Sequence, residues 1–302
     1  MPYVGCRVVN NFDSFKDLYP FTSLYYDLKP YKIHYLDEGE GQVLLFLHGN
    51  PTWSFYYRNL IKSFKSRYRC IVPDHIGCGF SDKPQNYNYT LRSHIDNLEN
   101  LVDFLGLKKI TLIVHDWGGA IGMGLAVRKP KLIKRLVLFN TASFLSSDIA
   151  LRIRLCRLPL LGTIAIRYFN LFVKGVLYFG IKRKKRLAIN VRAGYLAPYD
   201  TFKNRIGNLK FVQDIPMEER VASYSVIQNI EKNLNQFKDL PILIIWASND
   251  FCFNKNFLNR WRDFFPEAVV HEVCNAGHLV VEDAEEEIIS FMEVFFKKNN
   301  IF

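Results

Sequence analysis

The sequence predicts an α/β fold: a mostly parallel central sheet with helices on both faces and an inserted helical cap. Three observations predict it. Short apolar runs alternate with helical periods at the spacing of strand-helix-strand units. That rhythm stops after Asn140 and resumes with an apolar run at residues 242–246, which divides the chain into core residues 1–142, a cap at 143–215 and a second core part at 216–302. One pentapeptide, Val114-His115-Asp116-Trp117-Gly118, carries an apolar strand straight into a helix, and the rest of the chain is organised around it.

Taken in order, residues 24–28 and 31–36 flank Lys29-Pro30 and read as an antiparallel hairpin. Residues 43–47 are continuously apolar, as a strand buried on both faces must be, and end in His48-Gly49-Asn50-Pro51 with a helix after Thr52. A short strand at 70–73 leads into the glycine-punctuated loop from Asp74 to Asp82. Its two glycines are not a dinucleotide fingerprint, since the third glycine and the immediate helix are missing. Thr90 can cap a helix whose Leu91, Ile95, Leu98, Leu101, Val102 and Leu105 recur at three and four, with Gly106 as its stop. The strand at 110–114, its helix to about Arg128 and a strand at 136–139 follow. The last units are strands at 242–246 and 269–273 and an amphipathic helix from Glu282.

Composition sets the broad class. With 302 residues and 49% hydrophobic content the chain buries a sizeable core. The net charge of +11 is local: residues 149–199 hold eleven basic side chains and no acid, and the rest of the chain is neutral. One basic block on a neutral body is not the pattern of a nucleic-acid binder. The six cysteines form no CxxC pair or metal-ligand cluster, and residues 1–10 lack the charge and apolar run of a secretory leader, so the expected location is the cytoplasm. Residues 158–181 approach the length of a membrane span. Arg167 and Lys174 lie seven apart, and Pro159 and three glycines interrupt the run, which fits an amphipathic cap helix better. With the basic run 182–186 it leaves peripheral membrane or multi-enzyme contact through the cap as an expectation.

The chemistry centres on the bend. An apex side chain on a strand-to-helix turn faces out over the sheet edge and needs small neighbours, which Gly118 and Gly119 supply. The apex residue is Asp116, a carboxylate already ionised at neutral pH that needs no base before it attacks. Taken alone it could also be a helix cap. Asp250 follows the strand at 242–246 and His278 the strand at 269–273; singly, one could be a turn residue and the other structural. Nucleophile, acid, histidine, each behind its own strand, is the order of the α/β-hydrolase triad.

The motifs His48-Gly49-Asn50-Pro51, Gly77-x-Gly79-x-Ser81-Asp82-Lys83-Pro84, Val114-His115-Asp116-Trp117-Gly118-Gly119 and Ala276-Gly277-His278, with Asp250, give the chain its family likeness. It resembles the haloalkane dehalogenases of the α/β-hydrolase fold over nearly its whole length. The Asn50 and Trp117 pair is the most specific part, looking like that family's two halide-holding donors. Some members place the acid near Asn140; here that position holds no acid, so Asp250 carries over. Within the cap, residues 192–200, 204–206 and 211–216 look like the subfamily containing the β-lactone decarboxylases of bacterial olefin biosynthesis.

The resemblance implies that Asp116 displaces a leaving group to form an ester while Asn50 and Trp117 hold the departing atom. His278, oriented by Asp250, then activates water. On a β-lactone the same carboxylate would open the ring, with decarboxylation to an alkene. Neither scheme calls for a metal or organic cofactor, and the implied partner is a small apolar substrate, a haloalkane or a β-lactone. An epoxide hydrolase fits less well, since those enzymes usually carry an aromatic where Asn50 stands; the two ring-opening cap tyrosines they also need have candidates in Tyr168, Tyr178, Tyr195 and Tyr199. A non-catalytic binder would lose triad members, and all three are present. His48 and His115 are expected to support the site through the backbone, and Trp53, Phe144, Phe251 and Phe253 to line the pocket or pack in the core.

Overall fold

The computed structural model describes residues 3–4, 12–183 and 186–300. Cys6, Lys184 and Lys185 lie outside them, as does most of the segment read for a leader. Nine strands form one sheet among the described residues: β1 (Tyr3–Val4), β2 (Leu24–Asp27), β3 (Lys32–Glu38), β4 (Val43–Leu47), β5 (Arg69–Pro73), β6 (Ile110–Val114), β7 (Ile133–Leu138), β8 (Ile242–Ala247) and β9 (Val269–Val273). Their order is β1-β2-β3-β5-β4-β6-β7-β8-β9, with β4 through β9 joined in parallel and the first three strands antiparallel. The hairpin, the capped helix and the six apolar runs are where the sequence puts them.

Every residue of β4, β6 and β8 is buried, because helices cover the sheet on both sides. Alternate side chains feed two cores. Leu44, Phe46, Ile113 and Leu243 face one, while Leu45, Leu47, Leu112 and Ile244 face the other. Each such side chain contributes roughly 1.5–3 kcal/mol by burial, so truncating Leu112 to Ala would cost about 2–5 kcal/mol. The register matters most for function: Leu47 pairs with Val114, Val114 with Leu138, and Ala247 with Val273. The strands therefore end together, and the loops that follow them meet at one edge.

Helix α1 (Arg58–Phe64) is entered through a 3-10 turn at Ser54–Tyr57. Helix α2 (Leu91–Phe104) starts at an extended Thr90 whose side chain accepts the Ser93 N–H, and its first N–H is taken by Asp214 at 2.8 Å. It is followed by Gly106 at φ 59°, a left-handed position suited to glycine. Helix α3 (Trp117–Arg128) runs straight from the bend.

Between β7 and β8 the described chain is helical: α4 (Leu151–Arg157), α5 (Pro159–Gly162) continued as one π-helical stretch to Tyr168, α6 (Leu171–Phe179), α7 (Ile189–Leu196), α8 (Ile206–Gln213) and α9 (Tyr224–Lys232). Helix α10 (Lys255–Phe264) follows β8. Two expectations are corrected here. Residues 158–181 are not one amphipathic helix, because Asn170 adopts the left-handed conformation and the chain bends by 77° between Tyr168 and Leu171. Arg167 and Lys174 thus sit on different helices. The final helix, α12 (Glu285–Lys298), starts three residues later than expected, since Val280–Asp283 form a separate short turn of helix, α11. Among the described residues no single helix is long and apolar enough to cross a membrane.

Candidate active site

Asp116 sits at φ 51° and ψ −128°, a conformation strained for any residue with a Cβ. Crowding from three sides holds it there. Its N–H donates to Asn140 O at 2.9 Å, and its carbonyl accepts from Thr141 Oγ1 at 2.5 Å. A Cβ on Gly49 would lie 2.3 Å from the Asp116 Cβ, and one on Gly118 would lie 2.0 Å from Leu47 O. Glycine is therefore required at both places. The Asp116 carboxylate makes no capping bond to α3 and accepts the Asn50 N–H instead, which removes the helix-cap reading.

The loops after β8 and β9 bring the other two residues to it. Asp250 Oδ2 lies 2.9 Å from His278 Nδ1, and His278 Nε2 lies 3.5 Å from Asp116 Oδ2. Asp250 Oδ1 accepts the Cys252 N–H at 2.6 Å, which fixes the acid. The imidazole is held from below: His115 Nε2 donates to His278 O at 2.9 Å, and the Phe253 ring stacks on the His278 ring. All three groups are buried. Burial alone would push the His278 imidazole down, but the Asp250 charge and hydrogen bonds to Asp116 and Asp250 outweigh it and raise it to about 10. The imidazole thus lies between two acids that both favour its protonated form.

Asn50 and Trp117 flank Asp116 on two sides. The Asn50 N–H donates to Asp116 Oδ2 at 3.3 Å, and its side-chain amide donates to Asn208 O of α8 at 3.1 Å. Trp117 is half-buried and meets the Phe211 ring edge-on at 5.3 Å. Beneath Asn50, burial pushes His48 down, and this neutral ring bonds Gly49 O through Nδ1 and accepts the His75 N–H on Nε2. Burial likewise pushes His115 down. Both histidines serve the backbone, as expected. Asp74 is fully buried, and its carboxylate pins the Ser54 and Phe80 N–H groups and His34 Nδ1, all within 2.8 Å.

A cavity of about 680 Å³, counting its open mouth, rises from Asp116 and Trp117 into the cap. Phe144, Ile153, Ile215, Ile227, Phe253 and Phe257 give it apolar walls. Of the aromatic candidates, Phe144 and Phe253 line it, whereas Trp53 is buried in the core against Phe55.

Several functional positions escaped the sequence. Asn140 bonds both the carbonyl and the N–H of Ala247, tying β7 to β8 beside the bend. Glu282, read as the start of a helix, forms a buried pair with Arg58 at 2.5 Å and accepts the Tyr195 hydroxyl of α7 at 2.6 Å. Asp283 accepts the N–H groups of Gly277, Lys182 and Arg183. Glu282 and Asp283 open an acidic run, 282–287, broken only by Ala284, and nothing in the sequence sets these two buried acids apart from the three that follow.

A strained aspartate between a parallel sheet and its following helix, facing a histidine and a second acid at the same sheet edge, defines an α/β-hydrolase. The chain belongs to that family: the family model for the alpha/beta hydrolase fold matches residues 42–285. It is an enzyme, and both likenesses drawn from its motifs hold. It is 46% identical to the cis-3-alkyl-4-alkyloxetan-2-one decarboxylase of Shewanella oneidensis over 92% of this chain and 89% of that protein. It is 31% identical to haloalkane dehalogenase 2 of Mycobacterium tuberculosis over 90% of this chain and 93% of that one. Its fold matches that of haloalkane dehalogenase DbeA from Bradyrhizobium elkani with a TM-score of 0.82 at 26% identity, covering 92% of this chain and 99% of the other.

Proposed function

We propose that the enzyme converts cis-3-alkyl-4-alkyloxetan-2-ones, β-lactones bearing two alkyl arms, to alkenes and carbon dioxide, with Asp116 as nucleophile. The observation that carries this reading is the Asp116 side chain at the floor of an apolar cavity, with His278 Nε2 at 3.5 Å. The 46% likeness to a decarboxylase of such lactones supports it over dehalogenation, where the likeness is 31%.

Asp116 attacks the ring carbon that bears the ring oxygen. That C–O bond breaks, its electron pair goes to the oxygen, and the ring opens to an alkyl ester of Asp116 with a free carboxylate. The Asn50 and Trp117 donors hold the departing oxygen. In the second step the bond to the carboxylate breaks, its electron pair forms the alkene, and Asp116 leaves with the ester electrons. No proton or water is consumed. His278 pairs with Asp116 at the start and stabilises it as the leaving group at the end, while Asp250 orients the ring.

Hydrolysis of haloalkanes is the second reading, favoured by the indole of Trp117 beside Asp116 at the cavity floor. There the ester must be cleaved by water. Esterification removes the Asp116 charge and part of what holds His278 protonated, which frees the ring to act as base. The epoxide reading loses support: Tyr195 bonds Glu282, Tyr199 contacts Gly79 N at 3.4 Å, and Tyr168 and Tyr178 are exposed.

The test supplies purified enzyme with a long-chain cis-β-lactone and, separately, with a long-chain bromoalkane. The lactone reading expects alkene and carbon dioxide from the wild type and none from Asp116→Ala. Bromide release by the wild type, with an alkyl mass gain trapped on His278→Ala and absent when Asp116 is also replaced, would move the assignment to dehalogenation.

A further inference from the structure

We propose that the outer face of the cap docks on an anionic lipid bilayer, with the bent pair formed by Pro159–Tyr168 and Leu171–Phe179 lying in the headgroup boundary. A helix on a protein surface ordinarily turns polar residues outward. This pair does not. Its inner side buries Ile166, Val173 and Val176, yet Leu160, Tyr168 and Phe169 are 60–75% exposed, as is Leu151 on the neighbouring α4. An element apolar on both sides belongs in a core or at a membrane, and among the described residues the outer side stays exposed.

The pair cannot span. Ten residues of helix reach about 15 Å, half the hydrocarbon thickness, and the second helix, turned by 77°, adds little along that direction. A bent apolar element of this size suits an interfacial position.

Charge decides the occupant. Residues 149–199 contain no acid. Beside exposed Tyr178, a surface hollow is lined by Lys174, Arg186 and Arg192 together with Leu177 and Leu187. Cations next to apolar side chains match a phospholipid surface, phosphate above and acyl chain below. A second copy of the chain fits worse, since a two-fold contact through this face would set the same cations against themselves. A nucleic acid would leave the apolar side chains in water. Helix α4 also links the surface to the site, because Ile153 lines the Asp116 cavity while Leu151 points out. A substrate dissolved in the bilayer would meet the cap directly. The docking inference stands whichever reaction Asp116 performs.

The experiment is co-sedimentation of the full chain with vesicles of phosphatidylcholine alone and of phosphatidylcholine mixed with phosphatidylglycerol. The wild type is expected to partition at least about tenfold more strongly onto the mixed vesicles, with the preference fading as salt rises. Leu160→Asp with Phe169→Asp should lose about tenfold or more on both vesicles, and Lys174→Glu with Arg192→Glu should lose the anionic preference. Val294→Asp, on exposed α12 outside the cap, should bind like the wild type. Turnover of a short, water-soluble substrate should survive in every one of these variants, which separates failed docking from failed chemistry. A wild type that stays off the mixed vesicles, patch variants that bind as well as it does, or a wild type that instead self-associates through this face would each overturn the proposal.

Discussion

Asp250 Oδ2 meets His278 Nδ1 at 2.9 Å on the side of the ring away from Asp116. The ring thus stands between two acids, and both raise its affinity for a proton.

That arrangement gives stability a defined pH dependence. The folded value of His278 is raised to about 10 against an ordinary 6.5, so its contribution is fully present below about 6.5 and disappears as pH rises through about 10. Urea unfolding between pH 7 and 10 should show a steeper loss for the wild type than for His278→Gln, which has no such proton to lose.

Replacing Asp116 separates catalysis from strain. On the proposed reaction, Asp116→Gly should lose about four orders of magnitude or more in alkene release, as removal of a nucleophile does. Asp116→Gly and Asp116→Ala both forfeit the pairing with His278, so the strain shows in their difference, and the glycine protein should be the more stable by roughly 1 kcal/mol. A glycine variant no more stable than the alanine one would count against the strain argument.

Two glycines in helices predict opposite outcomes. A Cβ on Gly119 would lie 1.8 Å from Thr141 Oγ1, while one on Gly175 meets nothing within 4 Å. Gly119→Ala should cost about 1–3 kcal/mol and disturb the bend, and Gly175→Ala should stabilise by up to about 1 kcal/mol. Melting temperatures of the two proteins decide the matter.

The Arg58–Glu282 pair predicts graded costs. Glu282→Ala leaves a buried guanidinium without its partner and should cost about 3–5 kcal/mol, whereas Tyr195→Phe removes one hydrogen bond and should cost about 1–3 kcal/mol. Denaturant midpoints for both variants give the comparison.

The sheet was legible because strands buried on both faces must be apolar runs, and β4, β6 and β8 are unbroken ones. Thr90, Asp116, Asp250 and His278 were legible because each sits where an element starts or stops. Glu282 and Asp283 were not. Their partners Arg58 and Lys182 are 224 and 101 residues away in sequence, and local pattern carries no trace of such pairings. The cap misled for a different reason: its helices are apolar on both sides, so periodicity could not say which side faces in, and the bend at Asn170 depends on one left-handed residue.

Asp283 has a further consequence. One carboxylate grips Gly277 N–H, immediately before His278, and the N–H groups of Lys182 and Arg183 just after α6, while Leu279 N–H bonds Gly180 O at 2.8 Å. The root of the cap and the histidine loop are thereby interlocked. Displacing the cap at that root would shift the loop that carries His278, so cap and triad behave as one mechanical unit in which the seat of the lid also sets the distance from imidazole to Asp116.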